Sequence, residues 1–157
     1  MTVENVHWDL ELSTLTEIIN ERSKTRPAII FDRIKDYPQG RRVAVNLVSS
    51  VDRLAMTLGM KPGLSDMDFV QAWRQQVKKI APVEARMVSS GPLFDNKQKG
   101  KDINLLQFPV PRWHELDGGR YIGTDDLVIT RDPEEGWVNV GTYRIMVHGP
   151  DRVALMR

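Results

Sequence analysis

The sequence predicts a mixed α/β (α+β) fold, with an N-terminal α/β domain over residues 1–95 and the opening of a β-barrel or sandwich over 96–157. Three observations carry this reading. Helix-like and strand-like segments alternate as far as Ile80, and from Pro82 onward short strand candidates follow one another between Gly, Pro and Asp. Between Ser89 and Lys101, Gly91-Pro92 and a lysine-rich loop mark the change of character.

The elements follow in order. Thr14-Leu15-Thr16-Glu17 has the form of a capping box, and Leu15, Ile18 and Ile19 supply the stripe of a short helix. Pro27 to Phe31 reads as a buried strand, and Arg41 to Val48, after the turn-prone Asp36 to Gly40, as a second. Ser50 can cap a helix running through Leu58 and stopping at Gly59. The clearest helix is Asp66 to Ile80. Ser65 is its N-cap, Asp66 and Asp68 suit its positive end, and Lys78 and Lys79 suit the other. Phe69, Val70, Trp73, Val77 and Ile80 share one face, which reads as core packing and not as a cofactor box. Strand candidates then occupy Glu84–Val88, Ile103–Phe108, Tyr121–Thr130, Val138–Val147 and Arg152–Met156.

At 157 residues the chain can bury one domain, or one small domain and part of another. A net charge of +1 gives no field for nucleic acid or an anionic membrane, so neither is expected as a partner. Without cysteine there are no disulfides or thiolate metal sites, which fits a reducing compartment. The first residues lack the basic start and apolar core of a signal peptide, and runs such as Ala28 to Phe31 are too short to cross a bilayer. A soluble, cytoplasmic protein is expected.

Most motif candidates have an ordinary explanation. His7, His114 and His148 are scattered without ligand spacing. Lys97, Lys99, Gly100 and Lys101 lack the spacing of a phosphate loop and read as a solvated loop. Asp125-Asp126 and Glu134-Glu135 are adjacent, and neighbours on a strand point to opposite faces, so neither pair forms a ready acid–base dyad. Pro109-Val110-Pro111-Arg112-Trp113 could stack a ligand or clamp a partner through its Arg and Trp, but reads first as a rigid connector between strands.

The stretch Asp132 to Arg144 is different. Asn139 offers a hard neutral oxygen for magnesium, manganese or potassium, Gly141 a bare backbone, and Arg144 a bidentate match to phosphate. Asn139, Gly141 and Tyr143 share one face of a regular strand while Arg144 faces the other way. Gly141 could relieve that conflict through a bulge, or by letting a ligand lie directly on the backbone. The residue types alone leave two readings open: a ligand site, and a glycine-containing turn in an ordinary sheet with a surface Arg.

Tyr121-Ile122-Gly123-Thr124, Val128-Ile129-Thr130-Arg131-Asp132-Pro133 and Trp137-Val138-Asn139-Val140-Gly141-Thr142-Tyr143-Arg144 resemble the UbiD family of reversible decarboxylases. Arg26 to Phe31 and Leu106 to Pro111 also fit its N-terminal region, so the resemblance covers most of the chain. It implies that residues 96–157 begin a split β-barrel that binds prenylated FMN, held with a divalent ion (usually manganese) and often potassium. It implies loss of carbon dioxide from aromatic or α,β-unsaturated carboxylic acids. By motif position, Asn139 would ligate the metal and Arg144 would sit beside the flavin, within reach of the cofactor or the substrate carboxylate. Val140, Gly141, Thr142 and Tyr143 would lay backbone against the cofactor, with the Val140 carbonyl toward potassium, and Arg157 would begin the next cofactor-binding segment. The resemblance further implies that the remaining metal ligands and the proton-handling acid lie outside this chain. The expectation is therefore half a site, completed by the remainder of the enzyme or a second chain, within a homo-oligomer. The competing reading is a non-catalytic module that binds flavin or pairs with a subunit.

Overall fold

The computed structural model describes residues 1–84 and 86–156 and is a mixed α/β fold with two small sheets. The first sheet orders β1 (Thr2–Glu4), β2 (Ile29–Asp32) and β3 (Val43–Val45). β1 and β2 run parallel, joined by helix α1 (Glu11–Arg22), and β3 returns antiparallel on β2. β2 is the central strand and alternates strictly: Ile29 and Phe31 are fully buried while Ile30 is exposed. With Val6, Leu12 and Ile34 they form the core, and Trp8, Leu15, Ile19, Tyr37 and Trp113 pack around it.

Helix α1 begins one turn earlier than the capping box predicts. Its N-cap, Leu10, has φ +63° and no side-chain cap, and Thr14 lies inside the helix. The earlier start buries Leu12 completely, in line with Leu15 and Ile19, so burial outweighs the local capping signal. Glu11 takes over part of the terminal bonding by accepting the His7 backbone N–H at 2.6 Å. That bond, followed by the influence of Lys35 at 3.4 Å, holds the Glu11 carboxyl below its ordinary value of 4.5. A lowered carboxyl contributes stability that is present above the ordinary value and is lost as pH falls through the folded value. Glu11→Gln is therefore expected to lose less than about 1 kcal/mol at neutral pH, since the pair is exposed. The variant should also show a smaller drop in urea midpoint between about pH 7 and about pH 3 than the wild type.

Ser50 caps α2 (Val51–Thr57) by accepting from the Arg53 N–H, and Ser65 caps α3 (Asp66–Val77) by accepting from Asp68. α3 ends at Val77, short of Ile80. Its apolar face buries only Phe69 well, and Val70, Val77 and Ile80 are exposed, which corrects the expectation of full core packing. The packed part of that face meets α2, where Gln76 also donates to the Leu58 carbonyl, and nothing among the described residues covers the rest.

The candidate strand over 103–108 instead holds a short 3-10 turn, Leu105–Gln107, preceded by another at Gly100–Asp102. The Asn104 side chain accepts the Leu106 N–H and Leu105 N–H bonds the Pro150 carbonyl, so local bonding replaces a ladder. The candidate at 84–88 contains Ala85, outside the described residues, and its described members form no strand. Residues 108–113 run as an irregular connector, pinned where Arg112 N–H donates to Trp8 and Leu10 N–H donates to Arg112. The second sheet then orders β4 (Arg120–Arg131), β5 (Val138–Val147) and β6 (Val153–Met156), all antiparallel. No described helix is long and apolar enough to cross a membrane.

Candidate functional site

The β4–β5 hairpin carries the segment from Asp132 to Arg144. Asp132 nucleates the turn by accepting the N–H groups of Glu134 and Glu135 at 2.9 and 2.6 Å, and Gly136 supplies φ +76°. Arg131 donates to the Gly136 carbonyl at 2.8 Å. These polar residues are thus used in building the loop.

Beyond the turn the ladder places Asn139 opposite Thr130, Gly141 opposite Val128 and Tyr143 opposite Asp126. Asn139, Gly141 and Tyr143 are half-buried on one face, and Val140, Thr142 and Arg144 are exposed on the other. There is no bulge at Gly141. Two irregularities lie in β4: Ile122 is extra between the pairs Tyr121–Met146 and Gly123–Ile145, and Thr124 and Asp125 both oppose Arg144 between Gly123–Ile145 and Asp126–Tyr143. A bulge increases local twist and re-aims side chains, so the sheet adjusts around Arg144 from the partner strand. Asp126 folds back over Gly123, where a Cβ would stand 1.4 Å from its carboxylate.

Gly141 has a related use. A Cβ there would lie 2.7 Å from the Tyr143 ring, which covers the bare backbone. Gly141→Ala is expected to displace that ring and cost about 1 kcal/mol. In a Tyr143→Ala background the cost should vanish, a coupling that a double-mutant cycle of thermal unfolding would register.

Arg144 lines an open cleft of about 310 Å³ with Trp113, His114, Asp117, Tyr121 and Thr124. Tyr121 is buried, its carbonyl accepts from Trp113 Nε1 at 3.4 Å, and His114 lies 3.6 Å from Glu17 of α1. Sequence reasoning weighed the Trp113 segment as a ligand-stacking stretch but missed His114, Asp117, Tyr121 and Thr124 as neighbours of Arg144, because only the fold brings the connector against β4. The proline-rich rigidity of 108–113 was the one available signal. Neither Asn139 nor Arg144 has a hydrogen bond or ion pair through its side chain among the described residues, in contrast to Arg112, Arg120 and Arg131.

Asn139 and Arg144 are not brought together. They face opposite sides of β5, and their Cα atoms lie roughly 17 Å apart along it at strand rise. No group of three or more His, Cys, Asp or Glu among the described residues could hold a metal ion, at Asn139 or elsewhere. The described residues alone do not fit a complete metal site. β6 pairs with Arg144 to Val147, and the β5 edge at Val138 to Tyr143 has no strand partner among the described residues. Arg157 lies outside the described residues.

Residues 2–73 match the 3-octaprenyl-4-hydroxybenzoate carboxy-lyase N-terminal domain, and residues 86–157 match the Rift-related domain of the same enzyme family. The chain belongs to the UbiD family. Its relatives include a pyrrole-2-carboxylic acid decarboxylase of Pseudomonas aeruginosa, 30% identical over 90% of this chain and 29% of the relative. A phenolic acid decarboxylase of Sedimentibacter hydroxybenzoicus is 33% identical over 97% of this chain and 32% of the relative. Among solved structures, the closed form of the Sedimentibacter hydroxybenzoicus vanillic acid decarboxylase superposes with TM-score 0.83 at 32% identity, over 99% of this chain and 33% of the other. An evolved dimeric form of the UbiD-class enzyme HmfF from Pelotomaculum thermopropionicum, in complex with prFMN, superposes with TM-score 0.77 at 25% identity, over all of this chain and 34% of the other. The chain thus spans about a third of the length of the UbiD-family proteins it matches.

Proposed function

We propose that this chain forms the N-terminal part of a prenylated-FMN-dependent reversible decarboxylase acting on aromatic or α,β-unsaturated carboxylic acids. The observation that carries the reading is the pair of polar side chains, Asn139 and Arg144, left uncommitted on β5 in a sheet that superposes on a prFMN-bound relative.

In this reading Asn139 would supply one ligand to a divalent ion, manganese by family expectation, that binds with the cofactor, and the Val140 carbonyl would face potassium. The backbone of Val140 to Tyr143 lies along the flavin once the Tyr143 ring leaves Gly141. Arg144 holds the flavin or the substrate carboxylate from the cleft it shares with Trp113 and Tyr121, as a guanidinium fork suits. Arg157 continues the cofactor-binding surface. The prenylated flavin supplies the carbon chemistry when bound, and the protein supplies orientation and charge. The other metal ligands and the proton-handling acid come from further polypeptide. The domain division is read near residue 95, in the irregular stretch between α3 and β4. The working enzyme is a homo-oligomer in the cytoplasm.

The test is to purify the enzyme containing this chain with prenylated FMN and manganese, then record its absorbance and its release of carbon dioxide from a panel of aromatic and unsaturated acids. Flavin retention with carbon dioxide release supports the reading. Retention without release from any acid favours the non-catalytic flavin module.

A further inference from the structure

Arg120 opens β4, and its guanidinium joins parts of the chain that are distant in sequence. Nε donates to the Val110 carbonyl at 2.7 Å, and Nη2 donates to the Tyr37 hydroxyl and, at 3.4 Å, to the Phe108 carbonyl. The same group lies 4.0 Å over the Trp8 ring. No carboxylate among the described residues pairs with it. A half-buried cation surrounded by neutral acceptors is held by shape: a rigid fork for the oxygens and a weakly hydrated face for the indole. Lysine has neither.

The place of this clamp matters. The connector 108–113 is pinned to the N-terminal layer independently, through Arg112 with Asp9 at 3.3 Å and the Trp8 and Leu10 backbone bonds. Among the described residues, direct side-chain hydrogen bonding from that layer to β4 runs through Arg120 to Tyr37. The next residue, Tyr121, is a wall of the cleft that Arg144 lines, and Arg120 itself pairs with Val147 on the strand that carries Arg144.

We propose that Arg120 is a positioning residue: it sets the seat of β4, and through it the Arg144 cleft, against the N-terminal layer. The proposal rests on the reading of Arg144 as the group beside flavin and substrate. It is tested with Arg120→Met and Arg120→Lys in the flavin-loaded enzyme, using whichever of 4-hydroxybenzoate and pyrrole-2-carboxylate the wild type turns over. Misplacement of a binding wall should raise KM about tenfold in Arg120→Met, with Arg120→Lys only partly rescued because it reaches one acceptor at a time. An unchanged KM overturns the proposal, whether kcat is also unchanged or falls in proportion to lost folded protein. Hydrogen exchange reads the same claim without any assay of turnover. Amides of residues 120–124 should lose protection in Arg120→Met while the β5–β6 ladder keeps its own, and equal protection in variant and wild type overturns it. If the wild type turns over no acid, the functional reading fails and the exchange result still decides the role of Arg120.

Discussion

Truncating Phe31 to alanine is expected to lower the free energy of unfolding by about 3–5 kcal/mol. The side chain is fully buried on the central strand of the first sheet, paired with Val3 on one side and Val43 on the other. Around it sit Val6, Leu12, Ile29 and Ile34, themselves almost without exposure, so the cavity has few mobile neighbours with which to collapse. A domain of this size holds only about 5–15 kcal/mol in total, so the substitution removes a large share. Ile30, one residue back and 38% exposed, is the internal control. Ile30→Ala should cost under about 1.5 kcal/mol, because its side chain faces outward and its truncation leaves no enclosed cavity. Urea midpoints at constant m-value would check both. Equal losses for the two would contradict the assignment of faces on β2.

Arg144→Ala should leave the fold nearly untouched and disable the site. Arg144 is exposed and has no hydrogen-bond or ion-pair partner among the described residues, so its loss should change stability by no more than about 0.5 kcal/mol. In the flavin-loaded enzyme the same change is expected to lower kcat/KM about 100- to 1000-fold, the usual cost of losing one preorganised charge at a reacting centre. Arg144→Lys should recover only part of this, because a point charge does not reproduce the fork. Asn139→Ala should act differently, reducing flavin retention, which absorbance of the purified protein reads directly. Full activity in the Arg144 and Asn139 variants would remove both residues from the site.

Local signals were read well where the chain decides locally. The Ser50 and Ser65 caps and the full span of β5 follow from capping chemistry and side-chain period alone, whereas β2, expected as a buried strand, alternates and leaves Ile30 exposed. Expectations failed where tertiary contacts outvoted local pattern. Leu12 burial moved the start of α1 ahead of a well-formed capping box, and Asn104 with the Pro150 carbonyl turned an apolar run into a 3-10 turn. In the site, the residue types on β5 were legible, but the surroundings of Arg144 were not. The cleft depends on a bulge at Thr124–Asp125 and on the packing of Trp113 and Tyr121, neither of which has a period or spacing to reveal it. Gly141 was expected to host a bulge or a ligand; the ladder runs through it without a bulge, and the Tyr143 ring lies over its bare backbone.

The claim that this chain begins a prenylated-FMN decarboxylase is tested most directly by isotope exchange. The enzyme containing the chain, loaded with prenylated FMN and manganese, is incubated with an aromatic or α,β-unsaturated acid and carbon-labelled bicarbonate, and label in the carboxyl group is followed by mass spectrometry. Reversible decarboxylation predicts incorporation that depends on the flavin and is lost in Arg144→Ala. Folded, flavin-bound protein that neither exchanges label into any such acid nor releases carbon dioxide from it would contradict the account.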